Sequence, residues 1–334
     1  MSLRKRPLGT SGLEVTTVGF GAWAAGGGGY AFGWGSQDDA QSVAAMRHAL
    51  DLGINWIDTA AIYGNGHSEE VVGRFLKDVP VGERPYVFTK CGMVWDPADP
   101  VKFPEKTLRP ESIRRECEDS LRRLGVERID LYQFHWPDIV GTPVEDSWAT
   151  MARLVDEGKV RCGGVSNFDV ALLERCERIR HVDSLQPPFS AIRRDVAAAE
   201  IPWCRERRTG VIVYSPMASG QLTDSFSQDR VARMADDDWR KRDPRFAPDV
   251  LARSLAFRDA LQPIARRHGV SVAAVAVAWT IAWPGVTAAI VGARSPEQVD
   301  GWVAAGSLEL SGDDLDEIAR LLETLHAGSG PARP

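Results

Sequence analysis

The chain is poor in cysteine, with five among 334 residues: Cys91, Cys117, Cys162, Cys176 and Cys204. The number is odd, the positions are scattered, and no two stand in C-x-x-C spacing. That argues against a disulfide framework and against a zinc site, and a reducing cytoplasm is the expected setting. A basic field is also missing. Lys plus Arg is 40 against 46 for Asp plus Glu, a formal net charge of −6 with a pI near 5.6, so no nucleic-acid partner is expected. Two short basic runs exist, Arg205-Glu206-Arg207-Arg208 and Arg240-Lys241-Arg242. Both read as solvated faces, the second with local anion binding as its alternative. No apolar run follows the basic N-terminus, so no signal peptide is expected. Residues 270–293 carry no charge and are long enough to span a bilayer. Ala dominates them and Pro284-Gly285 divides them, so a buried helix and then a buried strand are expected, with no membrane partner. Heptads and long exposed apolar stripes are absent, which predicts a monomer or weak homo-oligomer. No G-x4-G-K-[ST], H-E-x-x-H or G-x-S-x-G occurs.

The composition is that of an ordinary globular protein: 44% hydrophobic and 26% charged residues. At roughly 150 residues per domain the length suggests two domains, but the pattern along the chain suggests one. After a hairpin over 6–15, short apolar runs at 18–21, 55–59, 86–90, 129–136, 160–166, 184–186, 211–214 and 288–292 read as strands. Helical patterns lie between them at 38–52, 69–77, 111–124, 144–157, 170–180, near Trp203, 254–268 and 270–283, with 296–305 and 313–325 after the last strand. Eight alternating units predict an α/β fold, a closed (β/α)8 TIM barrel with an N-terminal β-hairpin and an extra C-terminal helix. A doubly wound open sheet is the runner-up. Residues 1–326 form the barrel in this reading, and 327–334 a disordered tail. Three long irregular stretches, 22–37, 91–108 and 215–248, follow strands one, three and seven. They fall on the C-terminal rim, where barrels build their sites.

Gly19-Phe20-Gly21-Ala22-Trp23-Ala24 fits the dinucleotide fingerprint G-x-G-x-x-A. It runs on into Gly26-Gly27-Gly28-Gly29 rather than into a helix, so it fails the test of context. The strand ends are more informative. Strand two ends in Asp58, with Tyr63 just beyond; strand three ends in Lys90; strand four ends in His135-Trp136. Adjacent strands bring these four polar side chains to one volume. An ammonium beside a phenol lowers the phenol's pKa, Asp58 supplies the buried ammonium's counter-charge, and His135 orients a carbonyl oxygen. The set reads as a general acid awaiting an external hydride donor.

These residues, in their order and spacing, resemble the aldo-keto reductases over nearly the whole chain. The matching stretches are Gly19-Phe20-Gly21-Ala22-Trp23, Ile57-Asp58-Thr59-Ala60-Ala61-Ile62-Tyr63-Gly64, Phe88-Thr89-Lys90, Leu131-Tyr132-Gln133-Phe134-His135-Trp136-Pro137-Asp138, Gly164-Val165-Ser166-Asn167-Phe168, Tyr214-Ser215-Pro216-Met217 and Gly292-Ala293-Arg294. The bacterial general-stress branch is most similar, on Gln186-Pro187-Pro188-Phe189, Asp238-Trp239-Arg240 and Asp243-Pro244-Arg245-Phe246. The resemblance implies an NADPH-dependent reductase of aldehyde or ketone carbonyls, with NADH as the alternative cofactor. Tyr63 is then the proton donor, tuned by Lys90 and Asp58, with His135 positioning the carbonyl. Gly21, Ala22, Trp23 and Asp58 border the cofactor. Ser166, Asn167 and Gln186 hold its carboxamide, and Tyr214 stacks on the nicotinamide. Ser215, Pro216, Met217, Gly220 and Leu222 line the pyrophosphate. Gly292, Arg294 and Gln298 meet the adenosine end, where an Arg suits a 2′-phosphate, and Arg240 is a second phosphate contact. Trp23, Tyr30, Trp34, Trp95 and Trp136 are expected to wall the substrate pocket. The chain departs from many relatives at Trp302, where they carry Asn, and at Asp224-Ser225, where they carry Gly-Lys. Two other readings of the same residues are a Schiff-base lyase using Lys90 and a cofactor-binding regulatory subunit docking a partner through 225–248.

Overall fold

A computed structural model describes residues 2–235 and 238–334. In chain order its strands are β1 (Lys5–Pro7), β2 (Glu14–Thr16), β3 (Val18–Gly21), β4 (Trp56–Asp58), β5 (Tyr86–Cys91), β6 (Met93–Val94), β7 (Glu105–Lys106), β8 (Ile129–Phe134), β9 (Val160–Ser166), β10 (Ser184–Gln186), β11 (Gly210–Tyr214) and β12 (Ala288–Gly292). The eight expected strands are all present. They close a parallel barrel in the order β3-β4-β5-β8-β9-β10-β11-β12, with β12 pairing back to β3. The helices are α1 (Asp39–Asp51), α2 (His67–Lys77), α3 (Pro110–Leu124), α4 (Val144–Asp156), α5 (Val170–Glu177), α6 (Glu200–Arg207), α7 (Gln228–Ala232), α8 (Pro248–Ala260), α9 (Gln262–His268), α10 (Val272–Ile281), α11 (Pro296–Asp300) and α12 (Gly312–Thr324).

Local chemistry sets many of these bounds. Asp38 accepts from the amide of Ala40 at 2.7 Å and starts α1. Ser311 and Asp314 form a capping box at the head of α12. The uncharged stretch does become a wholly buried helix, α10, followed by β12. Among the described residues no helix is long and apolar enough to cross a membrane. The single helix expected over 254–268 is instead two. It starts early, with Pro248 in its first turn, and breaks at Gln262-Pro263, where Pro cannot donate to the helical ladder. The C-terminal stretch 327–334, expected as a tail, touches the barrel at two points. Ala327 is buried, and Arg194 donates to the carbonyls of Ala327 (2.9 Å) and Gly330 (3.2 Å), so a buried guanidinium pins the segment.

The antiparallel hairpin β1–β2 closes the N-terminal end of the barrel. Leu8, Leu13 and Val15 pack there against Trp56, Phe88, Leu131, Cys162 and Ile212 from the strands. Gly19 belongs to this layer. A side chain on it would meet the Trp56 ring at 2.1 Å. The glycine of the apparent dinucleotide fingerprint is thus a packing glycine.

Candidate active site

Successive inward positions along a barrel strand lie two residues apart. Two residues beyond Trp56, Phe88 and Leu131, the same faces present Asp58, Lys90 and Gln133, and β10 adds Gln186; all four are buried. Lys90 Nζ donates to Asp58 Oδ1 at 2.5 Å and to the carbonyl of Thr59 at 2.8 Å. Gln186 Nε2 donates to the other Asp58 oxygen at 2.9 Å and to Gln133 Oε1 at 3.1 Å. A buried charge pair is tolerable when its remaining hydrogen-bonding capacity is filled in this way. Burial lowers the Lys90 pKa, and Asp58 opposes the fall. The Lys90 side chain is fully enclosed, which leaves its amine no approach for a Schiff-base substrate.

Above this layer Tyr63 and His135 face the cavity, their rings 5.6 Å apart and nearly perpendicular. Lys90 Nζ lies 5.2 Å from the centre of the Tyr63 ring. The Tyr63 pKa is not lowered, as the sequence suggested. Burial, and then the negative charge of Asp58, push it well above its ordinary value. Asp58 offsets the ammonium at contact distance, which keeps the resting phenol protonated. Burial and then Lys90 hold the His135 pKa well below its ordinary value. The site therefore presents a protonated phenol and a neutral imidazole.

The cavity measures about 510 Å³ and runs from these groups across the barrel rim. On one side lie Ser166, Asn167, Gln186 and Tyr214. Asn167 adopts a left-handed conformation (φ 61°), a region Asn tolerates. It accepts from the Tyr214 hydroxyl at 2.9 Å and donates to the His135 carbonyl at 3.0 Å. Beyond them Ser215, Pro216, Met217 and Gly220 line the cavity, then Gly292, Arg294 and Gln298. Arg294 binds Gln37 at 2.6 Å and the carbonyls of Trp34 and Ser36, all neutral acceptors. Its pKa is lowered by burial and by Arg240 and Arg230, so three guanidinium groups crowd this end.

These features have known counterparts. Residues 17–323 match the aldo/keto reductase family. The chain belongs to the aldo/keto reductase family. Aldo-keto reductase YhdN of Bacillus subtilis (strain 168) is 32% identical over 323 residues, covering 96% of this chain and 94% of that protein. The NADH-specific methylglyoxal reductase of Escherichia coli (strain K12) is 33% identical over 332 residues, covering 97% and 99%. Among solved structures, a glycerol dehydrogenase from Gluconobacter oxydans superposes with a TM-score of 0.87 at 34% identity, covering 98% and 97%. The protein is an NAD(P)H-dependent oxidoreductase of this family.

The aldo/keto reductase cavity fits such a dinucleotide by its donor set. Amide and hydroxyl groups stand at one end, and at the other Arg294 and Arg230, which have no carboxylate partner among the described residues. Not every expected residue reaches the cavity. Ala22 lies behind it, its amide on the Asp58 carbonyl at 2.8 Å. Leu222 is core. Arg240 lines the cavity, but its guanidinium is clamped by Asp238 at 2.6 and 2.9 Å and stacked 4.5 Å over Trp34, so its charge is already matched. Trp23, Trp34 and Trp136 line the cavity, whereas Tyr30 and Trp95 do not. Tyr30 is buried, and Trp95 packs with Ile62 and Met93 under Arg123.

Some contributors are not anticipated by the sequence. Gln133 shares a face with His135, and that alternation was a usable signal. Phe32, Met93 and Arg230 also line the cavity. Trp239 stacks on Trp23 at 5.7 Å, and Trp23 in turn stacks on Tyr63. Only in the alternative reading as a regulatory subunit does the segment carrying Trp239 dock a partner. Its described part folds onto its own chain around Phe226, Phe246 and Leu251.

Proposed function

We propose that this reductase prefers NADPH and reduces small aldehyde and ketone carbonyls, with Tyr63 as the general acid. One observation carries the reading: a phenol and an imidazole meet, ring to ring at 5.6 Å, across an aromatic cavity over a closed Lys90–Asp58 pair, where burial favours the neutral form of each. A carbonyl oxygen between Tyr63 and His135 accepts a hydrogen bond from each. The His135 donor is neutral, so it orients the oxygen without competing for the proton. When bound, the reduced nicotinamide supplies a hydride to the carbonyl carbon. As charge grows on the oxygen, Tyr63 passes it the phenolic proton, and the Lys90 ammonium stabilises the phenolate left behind. Trp23, Trp34, Trp136 and Phe32 give the entrance an aromatic wall that keeps water from the reacting oxygen.

Arg294 supports NADPH. Its guanidinium holds only neutral acceptors, and Arg230 shares the cavity, so a 2′-phosphate would find unneutralised fork donors. The E. coli relative is named NADH-specific and a methylglyoxal reductase, which puts NADH and methylglyoxal in the test. Cofactor oxidation is followed by absorbance over a panel of carbonyls with each cofactor. Turnover with NADPH exceeding that with NADH, and a loss of that preference in Arg294→Ala, supports the assignment. Equal turnover with both cofactors contradicts it.

A further inference from the structure

A second cavity, of about 240 Å³, opens on the other side of the 215–221 loop from the cofactor cavity. Pro216, Met217, Ser219 and Gly220 line the large cavity, Ala218 and Gln221 the small one, and Ser215 borders both. None of Asp58, Tyr63, Lys90 or His135 reaches the small cavity.

Its wall is cationic. Arg193 comes from the turn after β10, Arg245 from the loop after β11, Arg253 from α8, and His326 from the C-terminal segment. Arg245 is paired with Asp243 at 2.6 Å. Arg193 and Arg253 have no carboxylate partner among the described residues. All four residues are exposed to solvent, Asp243 acts on both Arg245 and Arg193, and guanidinium groups gathered from separate segments into one concavity favour an anion there. Two buried polar residues complete the wall. Ser190 is only 2% exposed, and its backbone exchanges hydrogen bonds with that of Arg193 at 3.0 Å. Gln221 donates through Nε2 to the Arg245 carbonyl at 3.4 Å, and its Oε1 has no partner.

We propose that this cavity is an oxyanion site for inorganic phosphate or a small phosphate monoester. A tetrahedral phosphate can meet two guanidinium forks at once, with the Ser190 hydroxyl donating to a further oxygen. The volume suits such an ion and lies below the roughly 300–1,000 Å³ of pockets for larger organic ligands, so a second dinucleotide is excluded. The position gives the site leverage on the cofactor. Ser215, Ala218 and Ser219 all hold φ between 49° and 57°, a left-handed conformation that non-glycine residues adopt only under strain. An anion resting against that strained loop stabilises the wall that the cofactor cavity shares.

The test is isothermal titration calorimetry on protein saturated with the nicotinamide dinucleotide it binds, so that the cofactor's own phosphate contacts are filled. Inorganic phosphate and glycerol phosphate are titrated separately in chloride buffer. One equivalent of either binding supports the site, and the tighter of the two identifies the source of the ligand. Ser190→Ala combined with Arg253→Glu is expected to weaken binding about tenfold or more. Dinucleotide binding by this variant, read from tryptophan fluorescence, is expected to match wild type, which separates loss of the site from misfolding. No uptake of either anion, or uptake by the variant equal to wild type, overturns the proposal.

Discussion

Trp56, Phe88 and Leu131 stand two residues before Asp58, Lys90 and Gln133 on the same strands, and both sets point to the barrel axis. The first set fills a sealed apolar layer under the N-terminal hairpin. The second carries a charge pair and two amides under an open cavity. One step of β-pleat thus separates hydrocarbon packing from chemistry. The apolar layer is free to be dry because the β1–β2 hairpin closes it. The polar layer is stable because each charge has a partner, and its chemical use depends on the same pairing. Asp58 offsets the Lys90 charge in the resting site, which leaves Tyr63 protonated.

The largest expected effect comes from breaking that pairing. Lys90→Met leaves Asp58 buried without its cation, and should abolish turnover while lowering stability by about 3–5 kcal/mol in chemical denaturation. A variant that keeps wild-type stability would show that the pair is not the anchor of the layer. A cut one layer down should behave differently. Leu131→Ala should cost about 2–5 kcal/mol, yet the folded fraction should still turn over. Loss of activity without loss of stability would mean that the two layers are not separable. A third, smaller effect contrasts Asp58 with a buried carboxyl that lacks a paired cation. Glu116 accepts from the Gly92 amide at 2.9 Å and from Ser112 at 3.0 Å, and burial pushes its pKa up to about 7 from 4.5. The folded state therefore holds its proton more tightly than the unfolded chain does. Stability is full below the unfolded value and falls as pH rises from about 4.5 through 7, by a total of about 3 kcal/mol. Glu116→Gln should flatten that part of the stability curve, and an unchanged slope would contradict the assignment.

How far this was legible from the sequence depends on the range of the interaction. Strand positions and the four strand-end polar residues follow from period-two alternation and from where each apolar run stops. Gln133 was available by the same rule. The direction of the Tyr63 shift was not, because it depends on how tightly Asp58 holds Lys90, a distance between two strands. The clamp of Asp238 on Arg240 and the stacking of Trp239 on Trp23 were out of reach for a related reason. They join the 22–37 and 215–248 loops, whose order comes from aromatic contacts with no periodic pattern. The short β6–β7 hairpin inside 91–108 was hidden in the same way. The docked tail depends on Arg194, whose burial nothing in its local sequence announces.

The central claim is that the open layer holds a neutral phenol whose proton is spent on the substrate oxygen. Tyr63→Phe removes that proton and little else. Steady-state reduction of a reactive aldehyde with NADPH should fall by about 10²–10⁴-fold, while NADPH binding, read from tryptophan fluorescence, stays at the wild-type value. Turnover equal to wild type, with the same cofactor affinity, would contradict the account.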